Sequence, residues 1–116
     1  MGIVPRLGEL ERAVMETLWS TGAPVTARDV QEALAGRRLA TTTVLTVLGR
    51  LERKGLVTRE RSGRAHHYRS VASREDHVAT LMRDALDAAP DRGAALARFL
   101  GSIPADERAA LRDLLD

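Results

Sequence analysis

Leu7, Leu10, Val14 and Leu18 recur three or four positions apart, with Ala13 beside them. This is the stripe of one helix face, and Gly22 stops it, so a first helix is predicted over residues 7–20. Met15 and Trp19 lie on the flank of that stripe and are too large to leave wet, which assigns them to the edge of a core. Thr26-Ala27-Arg28-Asp29 has capping-box spacing, a hydroxyl at a helix start and an acid three residues on. It opens a short second helix that turns Val30 and Leu34 inward and ends near Ala35-Gly36. In a third helix, over residues 41–54, Val44, Val47, Leu48 and Leu51 fall in one narrow stripe. One of the threonines that open it, Thr41 to Thr43, is available as a cap. Gly55 ends the helix, and Leu56-Val57 return to the core.

The period then shortens. Residues 57–61 and 65–69 read as extended segments joined through Ser62-Gly63-Arg64, a glycine-containing turn. A two-stranded hairpin is marginal alone and must lean on the helices. Helix, helix, helix, strand, strand is the order of a winged helix-turn-helix. Beyond it, Ser73-Arg74-Glu75-Asp76 is a second capping box, opening a helix whose Val78, Leu81, Met82, Ala85, Leu86 and Ala89 form one stripe before Pro90. Asp91 can cap a short helix through Leu100, which Gly101 closes. Pro104 falls in the first turn of a last helix carrying Leu111, Leu114 and Leu115. Three short helices from 44 residues cannot enclose a core of their own, and chains of that size need a partner or staples. The expected fold is mainly α with a small β-hairpin: a winged-helix DNA-binding domain over residues 1–72, then a three-helix dimerisation module over 73–116. Its dimer contacts are predicted at Val78, Leu81, Met82, Ala85, Leu86, Leu111, Leu114 and Leu115.

The face of the third helix opposite its stripe carries Thr42, Thr46, Gly49, Arg50 and Arg53, with Thr43 and Lys54 at one edge. Threonine is a mediocre helix former, so its density here points outward to a partner. Hydroxyls and methyls of Thr42 and Thr46 suit base edges, and Arg50 and Arg53 suit phosphate or guanine. Arg37 and Arg38, just before that helix, are placed for phosphate, and Arg61, Gly63 and Arg64 form the tip of the wing. Charge sharpens the picture. Residues 37–70 hold nine Lys/Arg against two Glu, net +7, whereas the whole chain carries +2. Residues 1–72 sum to +5 and residues 73–116 to −3, so polyanion binding is confined to the first part.

Composition excludes several classes. No cysteine is present, so disulfides, thiolate metal sites and cysteine nucleophiles are absent together. The longest apolar runs are a few residues, too short to insert in a bilayer. The opening MGIVPRLGELE lacks the pattern of a signal peptide, and the chain is expected in the cytoplasm, without a cofactor. General acid–base chemistry requires converging groups. The histidines are His66, His67 and His77, and the first two point to opposite faces of a strand. An enzyme is therefore not expected. Two alternatives remain: a winged-helix protein-interaction module, and a histidine-based metal-sensing repressor in which His67 and His77 approach an acid such as Asp76.

The stretches LGELERAVMETLW, VTARDVQEAL, TTTVLTVLGRLERKGLV and RERSGRAHHYR closely resemble the BlaI/MecI family of penicillinase repressors, over essentially the whole chain. The resemblance implies a homodimeric winged-helix repressor on palindromic operators with TACA/TGTA-type half-sites, upstream of β-lactam-responsive genes. It implies a dimer held by the C-terminal helices, and release by cleavage there by a protease linked to a membrane β-lactam sensor. It places the recognition positions at Thr42, Thr43, Thr46 and Arg50, the wing at Arg61, Gly63 and Arg64, and the cleavage position near Arg98-Phe99. Thr41 stands where many relatives have an aromatic residue, Arg98 replaces the asparagine of the staphylococcal cleavage site, and His66 and His67 replace more usual wing residues. A copper-responsive branch switches through C-terminal cysteines, which this chain does not have.

Overall fold

The computed structural model describes residues 7–116, which divide into two compact units, 7–78 and Ala79–Asp116, with the division inside a helix. The first unit contains α1 (Glu9–Thr21), α2 (Ala27–Ala33), a 3-10 turn (Ala35–Arg37), α3 (Thr41–Arg53) and the strands β1 (Val57–Ser62) and β2 (Ala65–Ser70). The start of α4 (Arg74–Asp87) belongs to it as well. Its core is the sum of the predicted stripes. Val14, Met15 and Leu18 from α1, Val30 from α2 and Val44, Val47, Leu48 and Leu51 from α3 are buried together with Val57 and Tyr68 of the strands. Trp19 is half-buried against this cluster, at its edge. The result is a mainly α winged helix with a two-stranded antiparallel wing.

Element ends depart from the sequence reading where local chemistry intervenes. Leu7 lies outside α1, because Gly8 takes the cap position and its N–H donates to the Glu11 carboxylate at 2.8 Å. Gly22, at φ +70°, closes α1 in the left-handed conformation that a glycine adopts without strain. The capping box at Thr26 is formed in both directions, Asp29 N–H to Thr26 Oγ1 and Thr26 N–H to Asp29 Oδ2. The hairpin is tighter than the three-residue turn expected. Ser62 pairs with Ala65, which leaves Gly63-Arg64 as a two-residue loop. Gly63 has φ +63° and Arg64 a negative φ, the combination that matches the twist of paired strands and calls for glycine in the first place.

The strut beneath the wing leaves no pattern in the sequence. Val25, between α1 and α2, pairs with Tyr68 through N–H···O bonds of 2.9 and 2.7 Å, so the hairpin leans on an isolated third strand position as well as on the helices. At the opposite end of α3, Lys54 Nζ donates to both oxygens of Glu11, at 2.9 and 2.8 Å. Glu11 is the buried charged residue of this unit, and Lys54 together with the Gly8 N–H holds its carboxyl below the ordinary 4.5. Stability from a depressed carboxyl is present above 4.5 and is lost as pH falls through the lowered value. Glu11→Gln is therefore expected to lower the unfolding free energy by about 1–3 kcal/mol at pH 7, since it strands a partly covered ammonium. The loss should shrink towards pH 3, as urea titrations at the two pH values would show. Equal losses at both would remove the latch.

The second unit contains the rest of α4, α5 (Arg92–Ser102) and α6 (Ala105–Leu115). Asp91 caps α5 by accepting from Ala94 N–H at 3.0 Å. Gly101 does not close α5, which runs through it to Ser102. The stop is Ile103, extended at ψ 152° because Pro104 follows and disfavours the helical conformation in the residue before it. Pro104 itself is the cap of α6 rather than part of its first turn. Among the described residues of 79–116 no side chain is buried. No helix among the described residues is long and apolar enough to cross a membrane.

Candidate nucleic-acid interface

Burying Val44, Val47, Leu48 and Leu51 turns the other side of α3 out to solvent, and Thr42, Thr43, Thr46, Arg50 and Arg53 are all exposed there. The first turn is fixed by α2. Gln31 Nε2 donates to the Leu39 carbonyl at 2.9 Å, and Thr41 Oγ1 donates to Gln31 Oε1 at 2.8 Å. Thr41 is thereby tied to α2, and no threonine caps the helix. Ala40 stands at the cap, its carbonyl accepting from Thr43 and Val44. Thr46 Oγ1 donates to the Thr42 carbonyl at 2.9 Å, one turn back. Its proton is engaged, so towards a base edge this hydroxyl accepts, which suits the amino group of adenine or cytosine.

Arg37, predicted to contact phosphate, is engaged in an ion pair. Its guanidinium makes two bonds to the Glu9 carboxylate, at 2.6 and 3.0 Å, and this pairing holds Glu9 below its ordinary value. A phosphate at Arg37 has to compete with a carboxylate already in place, so its first task is to join the turn before α3 to the start of α1. Arg38 beside it is free of any ion pair among the described residues and adopts φ +52°, a left-handed conformation costing a non-glycine residue about 1 kcal/mol.

The wing is attached to α3 by Arg59, 3.3 Å from Glu52. At its tip Arg61 Nε donates to the Gly63 carbonyl at 3.2 Å, which folds this side chain over the turn, while Arg64 projects without a partner among the described residues. Glu11 is matched to Lys54, just past the end of α3, and Glu52 to Arg59 on β1. Arg50, Arg53, Arg61 and Arg64 remain without carboxylate partners among the described residues. These four cations therefore stand outside any ion pair among those residues, although the Glu11 charge reaches Arg50.

The histidines do not assemble. His77 lies with its ring 5.3 Å from that of Trp19, whose Nε1 donates to the Ala72 carbonyl at 3.1 Å. Arg74 covers the same indole at 5.6 Å and bonds Glu16 at 2.7 Å, so His77 belongs to the packing that seats the first turn of α4 on α1. His67 is on β2, opposite Glu60. Among the described residues no three of His, Asp and Glu converge to hold a metal ion, and His67 and His77 lie in different settings.

The residues expected to make a dimer lie on helices whose apolar sides are uncovered. Val78 belongs to the first unit and is exposed, as are Met82 and Ala85, while Leu81, Leu86 and Leu111 are half-buried. Leu114 and Leu115 are 82% and 86% exposed. Leu96, Phe99 and Leu100 of α5 are also exposed, and none of them is among the predicted dimer contacts. The signal was present: 96, 99, 100 and 103 recur at helical spacing. Arg98-Phe99 lies inside α5, with a further turn of helix after it.

Residues 7–116 match the penicillinase repressor family. The chain is 53% identical, over 99% of its length and 86% of the relative's, to a transcriptional regulator BlaI of Mycobacterium tuberculosis. Among solved structures, the DNA-binding domain of the repressor BlaI matches 66% of this chain and 93% of its own, at a TM-score of 0.55 and 25% identity. Bacillus licheniformis BlaI, as a monomeric form in complex with the blaP half-operator, matches the same shares at 0.53 and 25%.

Proposed function

This chain belongs to the penicillinase repressor family, and from that membership we propose that it is a dimeric repressor binding palindromic operator DNA upstream of β-lactam-responsive genes. The observation that carries the DNA-binding part is the exposed face of α3, threonines flanked by arginines that have no carboxylate partner, next to a wing tipped by Arg64. An interaction helix would present mainly apolar or acidic groups there, whereas threonines and arginines predominate on this one and Leu45 is its one large exposed apolar side chain. The matched relatives are transcriptional regulators, not enzymes. The half-operator complex of the Bacillus licheniformis relative supports the same placement of one protomer on one half-site.

In this reading Thr42, Thr43 and Thr46 meet base edges, Arg50 and Arg53 reach bases or phosphates, and Arg38, Arg61 and Arg64 meet the backbone, with Gly63 shaping the wing. The dimer forms where 79–116 expose Met82, Leu96, Phe99, Leu114 and Leu115, groups that a second copy would cover. Release comes from cutting within that region near Arg98-Phe99, by a protease linked to a drug sensor.

Two substitutions separate specifying from positioning contacts. Thr46→Val keeps the shape and removes an acceptor, so operator affinity should fall by roughly 2–10-fold with random duplex nearly unaffected. Arg64→Ala should weaken operator and random duplex alike, and reduce the log–log salt slope by about one unit per protomer. Fluorescence anisotropy across a salt series reads both, and identical behaviour of the two variants would refute the assignment.

A further inference from the structure

We infer that Leu45 is a specificity-determining residue that reads the C5 methyl of a thymine in the major groove. The inference rests on the DNA-binding reading above and adds to it a residue and the group it recognises. Leu45 is 44% exposed on α3, one position off the buried stripe, and it is not among the half-buried side chains, such as Leu39 and Leu56, that complete the core. The other large apolar side chains exposed in the first unit, Val71 and Val78, lie in the segment that leads into α4 and at its start, away from α3 in the chain. A single exposed leucine is ordinary on a protein surface. What singles this one out is its setting.

Three and four residues away along the helix, where side chains share a face, stand Thr42 and Gly49. Gly49 leaves that side of the helix low: a Cβ built there meets only the far end of Arg53, at 3.6 Å. Leu45 thus borders a shallow strip made by a threonine, a missing side chain and Thr46, whose hydroxyl is turned back onto the Thr42 carbonyl. Arginines 50 and 53 continue the same helix without carboxylate partners among the described residues. The edges of the bases in the major groove are donors and acceptors with one apolar exception, the thymine methyl. An apolar side chain within a polar, cationic face that lies in that groove finds its complement there and nowhere on the phosphates.

The test uses the full chain and a duplex it selects from a random pool. Each thymine is replaced in turn by deoxyuridine, which removes the methyl and nothing else. Removing a methyl that Leu45 covers should weaken binding about fourfold per half-site, the equivalent of about 0.8 kcal/mol. Leu45→Ala should weaken the intact duplex by a similar factor and lose sensitivity to deoxyuridine at that one position. Leu45→Met, which keeps an apolar chain of the same reach, should retain it and guards against a helix disturbed by truncation. Additive losses, with Leu45→Ala as sensitive as the wild type at every thymine, would overturn the inference while leaving DNA binding intact. A chain that selects no duplex overturns the DNA-binding reading, and this one with it.

Discussion

Ending the chain after Val78 is expected to give a folded monomer that binds a half-site and has lost roughly 10²–10⁴-fold in affinity for the full palindrome. Folding should survive because the core of the first unit closes without help: Met15, Leu48 and Leu51 are fully buried among residues of α1 to β2. The position of the cut matters. Stopping at Ser70 would remove Ala72, Arg74 and His77, which bond or cover Trp19, and Arg74 also bonds Glu16. A cut there mixes loss of dimerisation with exposure of an indole. After Val78 that packing is kept, and what disappears is the unit with no buried side chain. A closed two-fold dimer would set two α3 helices about 34–36 Å apart in successive major grooves, each half-site holding the other at high effective concentration. Sedimentation gives the state of assembly, and titration of a palindrome against a single half-site gives the loss. A shortened chain that still sediments as a dimer would move the interface out of 79–116.

Much of the first unit was legible because local period and caps determine it. The stripe of α3 named its buried residues, and the opposite face followed by rotation alone. The capping box at Thr26 and the glycine in the wing loop are local rules, and both are realised. What escaped is long-range or lacks a period. Arg37 looked free from its neighbours, but its partner Glu9 lies 28 residues away, brought close by the packing of α1 and α3. The pairing of Val25 with Tyr68 involves a single residue on one side, too short to leave an alternating pattern. The position of Leu45 beside the stripe at Val44 places it off the core, but a lone leucine carries no pattern that names a partner. The extension of α5 through Gly101 shows the limit of glycine as a stop signal: it permits an end, whereas Pro104 compels one.

Cutting between Arg98 and Phe99 is expected to release the operator without touching α3, because it detaches the end of α5 and all of α6. A protein truncated after Arg98 should fall towards the monomer's affinity, again by roughly 10²–10⁴-fold, since Phe99, Leu100, Leu114 and Leu115 leave together. Undiminished tight binding by that truncation would rule the mechanism out. The bond lies inside a helix, and a protease needs it in an opened segment, so the rate of cutting follows the population in which α5 is locally unfolded. That gives a second handle. Gly93 and Gly101 are both helical, and a Cβ at either meets no backbone: at Gly93 it touches only the Asp91 carboxylate, at 3.5 Å, and at Gly101 nothing within 4 Å. Alanine at each should favour the helix by about 1 kcal/mol, close to fivefold in the opened population. The double variant Gly93→Ala, Gly101→Ala is therefore expected to bind DNA as tightly as the wild type and to be cut some 25-fold more slowly under the same protease. In cells exposed to a β-lactam, induction should lag in that variant by a comparable factor. Induction on time with the repressor intact would show that the switch works without cutting the chain.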